Sequence, residues 1–307
     1  MSVHKISYGG WPNCYLLTNG ELEAIATTDV GPRVIRLGFR GEENIFREFH
    51  DQLGKTGGDE WRIYGGHRLW HAPEHPVRTY FPDNGPVQVE ELDGGIKLTQ
   101  GVEATTGIQK EMELYVDSGA NRIKVVHRIW NKNLWAIELA PWAISVMAQG
   151  GMAIVPQEPY VPHPQALLPA RPMALWPYTD MSDPRWRWGA KYVTLKQDPN
   201  AKTSQKAGFG NTMGWVAYYK NGLLFVKRFE YKEGCLYPDF GSTVELFTNS
   251  EMLEVETLGP LSGIEPGGFV EHVEYWSLYK DVELEDTDES IEDNVKARII
   301  ESSRAAF

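Results

Sequence analysis

The residues best suited to chemistry crowd into Gly65-Gly66-His67-Arg68-Leu69-Trp70-His71-Ala72-Pro73-Glu74-His75, continuing to Arg78 and Tyr80. His67 and His71 can carry protons near neutral pH, Arg68 and Arg78 can clamp substrate oxygens, Glu74 adds a carboxylate, and Trp70 offers a stacking face. The paired glycines permit close backbone approach, and Pro73 and Pro76 stiffen the chain, so the sequence predicts a loop that carries these groups into a cleft. The bland alternative is a surface loop with incidental histidines. His67 and His71 are four apart and would share one face of a helix, as metal ligands do. Gly-Gly before them and Ala-Pro after them oppose a helix, and no H-E-x-x-H frame is present. No metal and no other cofactor is expected.

A second set lies on strand patterns toward the C-terminus. In Leu253-Glu254-Val255-Glu256-Thr257-Leu258 the carboxylates are two apart and project from one strand face, with Leu253 and Val255 on the other. His272, Glu274 and Trp276 likewise share a face, and Glu245 sits on the preceding strand pattern, beyond Tyr237-Pro238-Asp239. Adjacent strands bearing Asp239, Glu245, Glu254, His272 and Trp276 would floor a polar groove. Taken singly, each carboxylate reads as an ordinary solvent-facing residue. Taken as a pair, close carboxylates repel, which raises one pKa toward the range of a useful proton carrier. A third cluster, Tyr178-Thr179-Asp180 with Asp183-Pro184-Arg185-Trp186-Arg187-Trp188, reads as a lid contact or an Asp–Arg structural clamp. No G-x-S-x-G elbow, phosphate-binding loop or dinucleotide fingerprint is present, which sets aside serine hydrolase, NTPase and NAD-dependent chemistry.

These groups must be held by strands, because period-two alternation broken by Gly, Pro, Asn and Asp dominates the chain. The pattern predicts strands over 14–17, 22–27, 33–39, 87–91, 95–103, 108–116, 122–131, 136–147, 192–196, 213–219, 223–228, 244–249, 253–258 and 268–279. Thr18-Asn19-Gly20, Asp93-Gly94-Gly95 and Lys220-Asn221-Gly222 mark hairpins between them. About fourteen such strands fit an all-β architecture, a large two-sheet β-sandwich forming a single domain over 1–307. Residues 49–83 and 157–188 resist a strand reading and are expected to wall the cleft. Positions 286–305 read as an N-capped amphipathic helical appendage carrying Ile291, Val295 and Ile299.

Composition narrows the partners. With 42 acidic against 30 basic residues the formal charge is −12, which repels nucleic acid and anionic membrane surfaces. No stretch approaches the roughly 18 apolar residues needed to span a bilayer, and the start lacks a charged segment followed by an apolar run, so a cytoplasmic protein is expected. Cys14 and Cys235 form neither a zinc pattern nor a disulfide framework. Eleven Trp and fourteen Tyr suit either β-sheet cores or a site for ring-shaped ligands.

The sequence resembles the galactose mutarotase-like superfamily, in a bacterial branch similar to aldose 1-epimerases. Gly31-Pro32-Arg33-Val34-Ile35-Arg36-Leu37 with Asn44-Ile45-Phe46 is similar to the family's early strand pair, and Gly65-Gly66-His67-Arg68-Leu69-Trp70 to its glycine-pair segment. Val255-Glu256-Thr257 with Ile264-Glu265-Pro266-Gly267 and His272 resembles its late L-E-T segment and proline-glycine turn. The resemblance implies a large sandwich, a small-molecule carbohydrate as ligand, cofactor-free acid/base isomerisation, and Glu256 as base. Where the epimerases carry an acidic histidine in an N-H-x-Y-F motif, this chain has Leu139-Ala140-Pro141-Trp142-Ala143-Ile144. Trp142 thus stands at the acid's place, and His67, His71 or His272 would have to substitute from another strand or loop. The resemblance leaves two further readings open: a carbohydrate-binding or sensing domain, and a lyase or hydrolase on acidic sugars.

Overall fold

The computed structural model describes residues 1–304, and it is built from antiparallel strands in two sheets. Across the first sheet run Ser2–Tyr8, Trp11–Thr18, Leu22–Thr27, Arg33–Phe39, Gly66–Ala72, Ile137–Met147, Leu253–Leu258, Val244–Thr248, Gln205–Phe209 and Met173–Leu175. Ser262–Ile264 joins it by pairing with the start of Ile137–Met147. The second sheet runs Trp186–Trp188, Tyr192–Lys196, Met152–Pro156, Trp215–Lys220, Leu223–Phe229, Phe269–Tyr279, Arg122–Asn131, Ile108–Val116, Gly95–Thr99 and Gln88–Leu92.

The two sheets bury one shared apolar core, because alternate residues of each face the other. Leu69, Leu246 and Val255 of the first sheet meet Leu114, Val125, Phe225 and Trp276 of the second. Phe46 packs edge-on against both Phe225 and Trp276 at 5.7 Å. In Ile108–Val116 burial alternates at every position, the sandwich pattern that the sequence predicts. At the hairpin joining Trp215–Lys220 to Leu223–Phe229, Asn221 and Gly222 take φ values of 49° and 83°, as a tight primed turn requires.

Seven strands go beyond the fourteen expected: Ser2–Tyr8, Gly66–Ala72, Met152–Pro156, Met173–Leu175, Trp186–Trp188, Gln205–Phe209 and Ser262–Ile264. Three of these are only three residues long. Gly66–Ala72, Met152–Pro156 and Gln205–Phe209 are buried at every position, so no polar face marks the alternation. The first of them corrects the expected 49–83 loop, for Gly66–Ala72 is a central strand between Arg33–Phe39 and Ile137–Met147. The glycine pair makes that insertion possible. Gly65 and Gly66 have φ of 101° and 69°, and a Cβ would lie 2.0 Å from the Arg47 carbonyl oxygen or 2.1 Å from that of Val34.

The C-terminal helical run, Asp288 to Arg304, begins where the Thr287 hydroxyl accepts from the Ser290 amide. Ile291, Val295 and Ile299 pack with Met152, Ile154 and Trp215 of the second sheet. Position 305 of the expected appendage lies outside the described residues. Among the described residues no helix is long and apolar enough to cross a membrane.

Candidate functional site

Strand alternation divides the dense cluster in two. Along Gly66–Ala72, Arg68 and Trp70 project to the side of the first sheet away from the core, while Leu69 joins the core between the sheets. Arg68 lies beside Ile144, which pairs in turn with Glu256 and Glu256 with Glu245. These registers place Arg68, Trp70, Trp142, Lys206, Phe247 and Glu254 around one cleft of about 480 Å³. Its remaining walls come from the 49–83 and 157–188 segments, through Trp61, Glu74, Tyr80 and Tyr178.

Aromatic rings form one side. Trp70 lies 4.9 Å from Tyr80 and 5.5 Å from both Trp61 and Trp142, centroid to centroid. Arg68 is almost wholly buried, its guanidinium 4.4 Å from the Trp70 ring centre, and its Nη2 donates to Glu254 Oε1 at 3.0 Å. Its Nε and Nη1 have no partner, and neither has Trp61 Nε1. Buried donors left unpaired cost about 1–3 kcal/mol each, so this wall favours an oxygen-rich ligand that engages them.

Beneath the rings lies a carboxyl pair. Trp142 Nε1 donates to Glu256 Oε2 at 2.7 Å. Lys206 Nζ sits 2.8 Å from Glu245 Oε2 and 3.6 Å from Glu256 Oε2, sandwiched between the rings of Trp142 and Trp176 at 4.7 and 4.6 Å. Glu256 Oε1 has no partner. Burial pushes the Glu256 carboxyl up to about 7, against the pull of Lys206. Burial likewise lifts Glu245 well above the carboxylate range. For Lys206, burial alone would favour the neutral amine, but Glu256 and Glu245 outweigh it and hold the ammonium above its ordinary value. The arrangement is a proton-carrying carboxyl matched to neutral pH beside a fixed positive charge.

The structure redistributes the other expected site residues. His67 and His272 lie between the sheets, on the opposite side of the first sheet from Arg68, and Trp276 is part of the shared core. His71 is also buried, without a partner for Nδ1, and feels the charge of Lys110 on the second sheet. The expectation that these histidines face the cleft is therefore corrected: in a strand, residues 67 and 71 must point away from 68 and 70. Among the described residues no histidine lines the cleft. Arg78 is exposed outside the lining, and half-buried Asp239 reaches Glu245 only through its charge. Trp142, Trp70, Glu74 and Glu254 do converge with Arg68, while Glu245 and Glu256 lie under the lining. Lys206 and Trp61 were not singled out from the sequence; Gln205–Phe209 reads Gln-Lys-Ala-Gly-Phe, with no alternation to mark the first as a buried strand residue.

The inward histidines belong to a closed polar network. His127 Nδ1 donates to the His272 carbonyl oxygen at 3.0 Å, which leaves its Nε2 to accept from His67 Nε2 at 2.7 Å. His67 Nδ1 then accepts from the Ser145 hydroxyl at 2.8 Å. Glu274 accepts from Thr257 and Trp276 and pairs with Lys227 at 2.8 Å, and Thr257 Oγ1 accepts from His272 Nε2 at 2.8 Å. His67, His127 and Glu274 bring three possible ligand atoms within 4.8 Å. Each is already spent on a protein partner, and Lys227 holds the carboxylate, so no metal centre is assigned.

No protein-family model matches the sequence, and no curated protein matches it. Solved structures do. A galactose mutarotase-like protein from Lactobacillus casei covers 87% of this chain and 100% of its own at 9% identity, with a TM-score of 0.55. Another, from Clostridium acetobutylicum, covers 91% and 99% at 10% identity and a TM-score of 0.54. The GH36 alpha-galactosidase AgaB from Geobacillus stearothermophilus covers 92% of this chain but only 41% of its own, at 12% identity and 0.51. These likenesses show the galactose mutarotase-like sandwich fold that the sequence resemblance implied.

Proposed function

We propose that the chain, with its galactose mutarotase-like fold, binds a sugar, sugar acid or sugar phosphate in the cleft over Arg68 and Trp70 and interconverts its anomers as an aldose 1-epimerase-like isomerase. The observation that carries this reading is Glu256, a buried carboxyl with one free oxygen and a proton affinity matched to neutral pH, beneath aromatic platforms of sugar size. In this reading an entering sugar displaces the Trp142 indole from above Glu256, and Glu256 then takes the anomeric hydroxyl proton as the bond from C1 to the ring oxygen breaks. Lys206, which lines the cleft 3.6 Å from that carboxyl, gives the ring oxygen its proton as the bond breaks, a role His67 and His71 cannot fill from the other side of the sheet. Closure on the other face of C1 reverses the transfer, and no cofactor is consumed. Arg68 holds substrate oxygens.

A binding or sensing domain is the second reading, favoured by the histidine-free lining and by Trp142, which caps Glu256 where the epimerases' acid is expected. The experiment is a fluorescence titration with monosaccharides, sugar acids and sugar phosphates, followed by anomer exchange measured by NMR on whichever binds. Accelerated exchange that drops at least about 10²-fold in Glu256→Gln supports the isomerase. Binding without acceleration leaves the sensing reading, and no binding by any sugar overturns both.

A further inference from the structure

We propose that Lys227 is a positioning residue of the cleft: from between the sheets it ties together the two strands that carry Trp142 and Glu256 and sets a positive charge directly behind that carboxyl. Its ammonium donates to the carbonyl oxygens of Ala143 and Val255, both at 3.2 Å. Ala143 follows Trp142 in the chain and Val255 precedes Glu256, and the two strands are register partners, Ala143 with Thr257 and Ser145 with Val255. Lys227 therefore lies one peptide unit from both residues of the Trp142–Glu256 hydrogen bond, on the other side of the sheet. The Glu256 carboxylate in turn acts on this ammonium, opposing the burial that lowers it.

Stability does not account for this lysine. A buried ion pair is about as stable when replaced by apolar side chains of similar volume, and Leu, Phe and Trp fill the neighbouring core. Yet Lys227 and Glu274 are both fully buried and joined to His67, His127, His272, Ser145 and Thr257 in one network. That network touches each of three consecutive floor strands: His67 beside Arg68, Ser145 beside Ile144, and Thr257 beside Glu256. The titratable groups that interact with Glu256 from the cleft side are Lys206, Glu245, Glu254, Arg68 and the neutral Tyr178 phenol. Lys227 is the cation that acts on it from behind.

The inference rests on Glu256 as the proton carrier, so its test is run without any sugar. The midpoint of Glu256 is read by NMR of carbon-labelled glutamate side chains. In Lys227→Met/Glu274→Gln, which removes both charges together, the midpoint should rise by about half a unit or more, roughly a threefold gain in proton affinity. Ser145→Ala removes a hydrogen bond of the same network without a charge and should leave it unchanged. A folded double variant with the wild-type midpoint, or an equal shift in Ser145→Ala, overturns the proposal. Should the double variant not fold, the Lys227 ammonium nitrogen in the wild-type protein must show an inflection at the Glu256 midpoint. A flat trace there overturns it as well. Failure of every sugar to bind would overturn the proposed function and leave this result standing.

Discussion

At the residue scale, Glu254 and Glu256 were legible as a pair because spacing of two in a strand fixes a shared face. Their different roles were not. Glu254 lines the cleft in an ion pair with Arg68, while Glu256 is sealed under Trp142 and Lys206. The Trp142 indole stabilises the charged form of Glu256, since it donates to a carboxylate oxygen. Trp142→Phe keeps a ring and removes the donor, so the Glu256 midpoint should move up from about 7. A pH titration of the labelled carboxyl checks this, and a lowered midpoint would show that the indole acts mainly by excluding water.

At the element scale, the Gly66–Ala72 strand decides which side chains meet the ligand. Its sequence reads as a loop, because glycines and histidines replace the apolar-polar alternation that announces a strand. The histidines are tolerated there because the second sheet supplies His127, and Ser145 supplies a hydroxyl, to satisfy His67. The strand enters through Gly66, where positive φ and contact with the Val34 carbonyl exclude a side chain. Gly66→Ala should cost about 2 kcal/mol or more in a urea unfolding experiment. It should also weaken sugar binding by displacing Arg68. A variant as stable as wild type would mean that this backbone relaxes freely.

At the scale of the whole molecule, the buried histidines set the response to acid. Burial, the leading cause at each, lowers His67 well below its ordinary value of 6.5, His71 and His272 to about 3, and lowers His127 as well. Below pH 6.5 the unfolded chain binds protons that these sites refuse, so their contribution is complete above that pH and lost on acidification. Each refused proton costs about 1.4 kcal/mol per pH unit. Glu256 and Glu245 act oppositely, since their raised values cost stability as pH climbs above 4.5. Four protons against two leave a net loss, so Tm should fall steeply between pH 6.5 and 5, measured by calorimetry. A flat Tm over that range would show the network already protonated in the folded state.

The sequence by itself determined what local covalent geometry controls. Period-two alternation set most strand positions, Asn221-Gly222 set a hairpin, and the spacing of Glu254 and Glu256 set their shared face. It also carried the resemblance that pointed to the fold, through short motifs at Gly31, Gly65 and Val255. Only the tertiary structure decided which sheet each polar strand joins and which side of it meets solvent. Leu253–Leu258 carries Glu254 and Glu256 on one face, and Phe269–Tyr279 carries His272, Glu274 and Trp276 on one face, yet the first set floors the cleft and the second faces inward across the core. That choice depends on partners far along the chain, Arg68 and Lys206 for one and His67 and Lys227 for the other. Burial of a charge is stable only where such partners arrive, and spacing along a single strand holds no record of them.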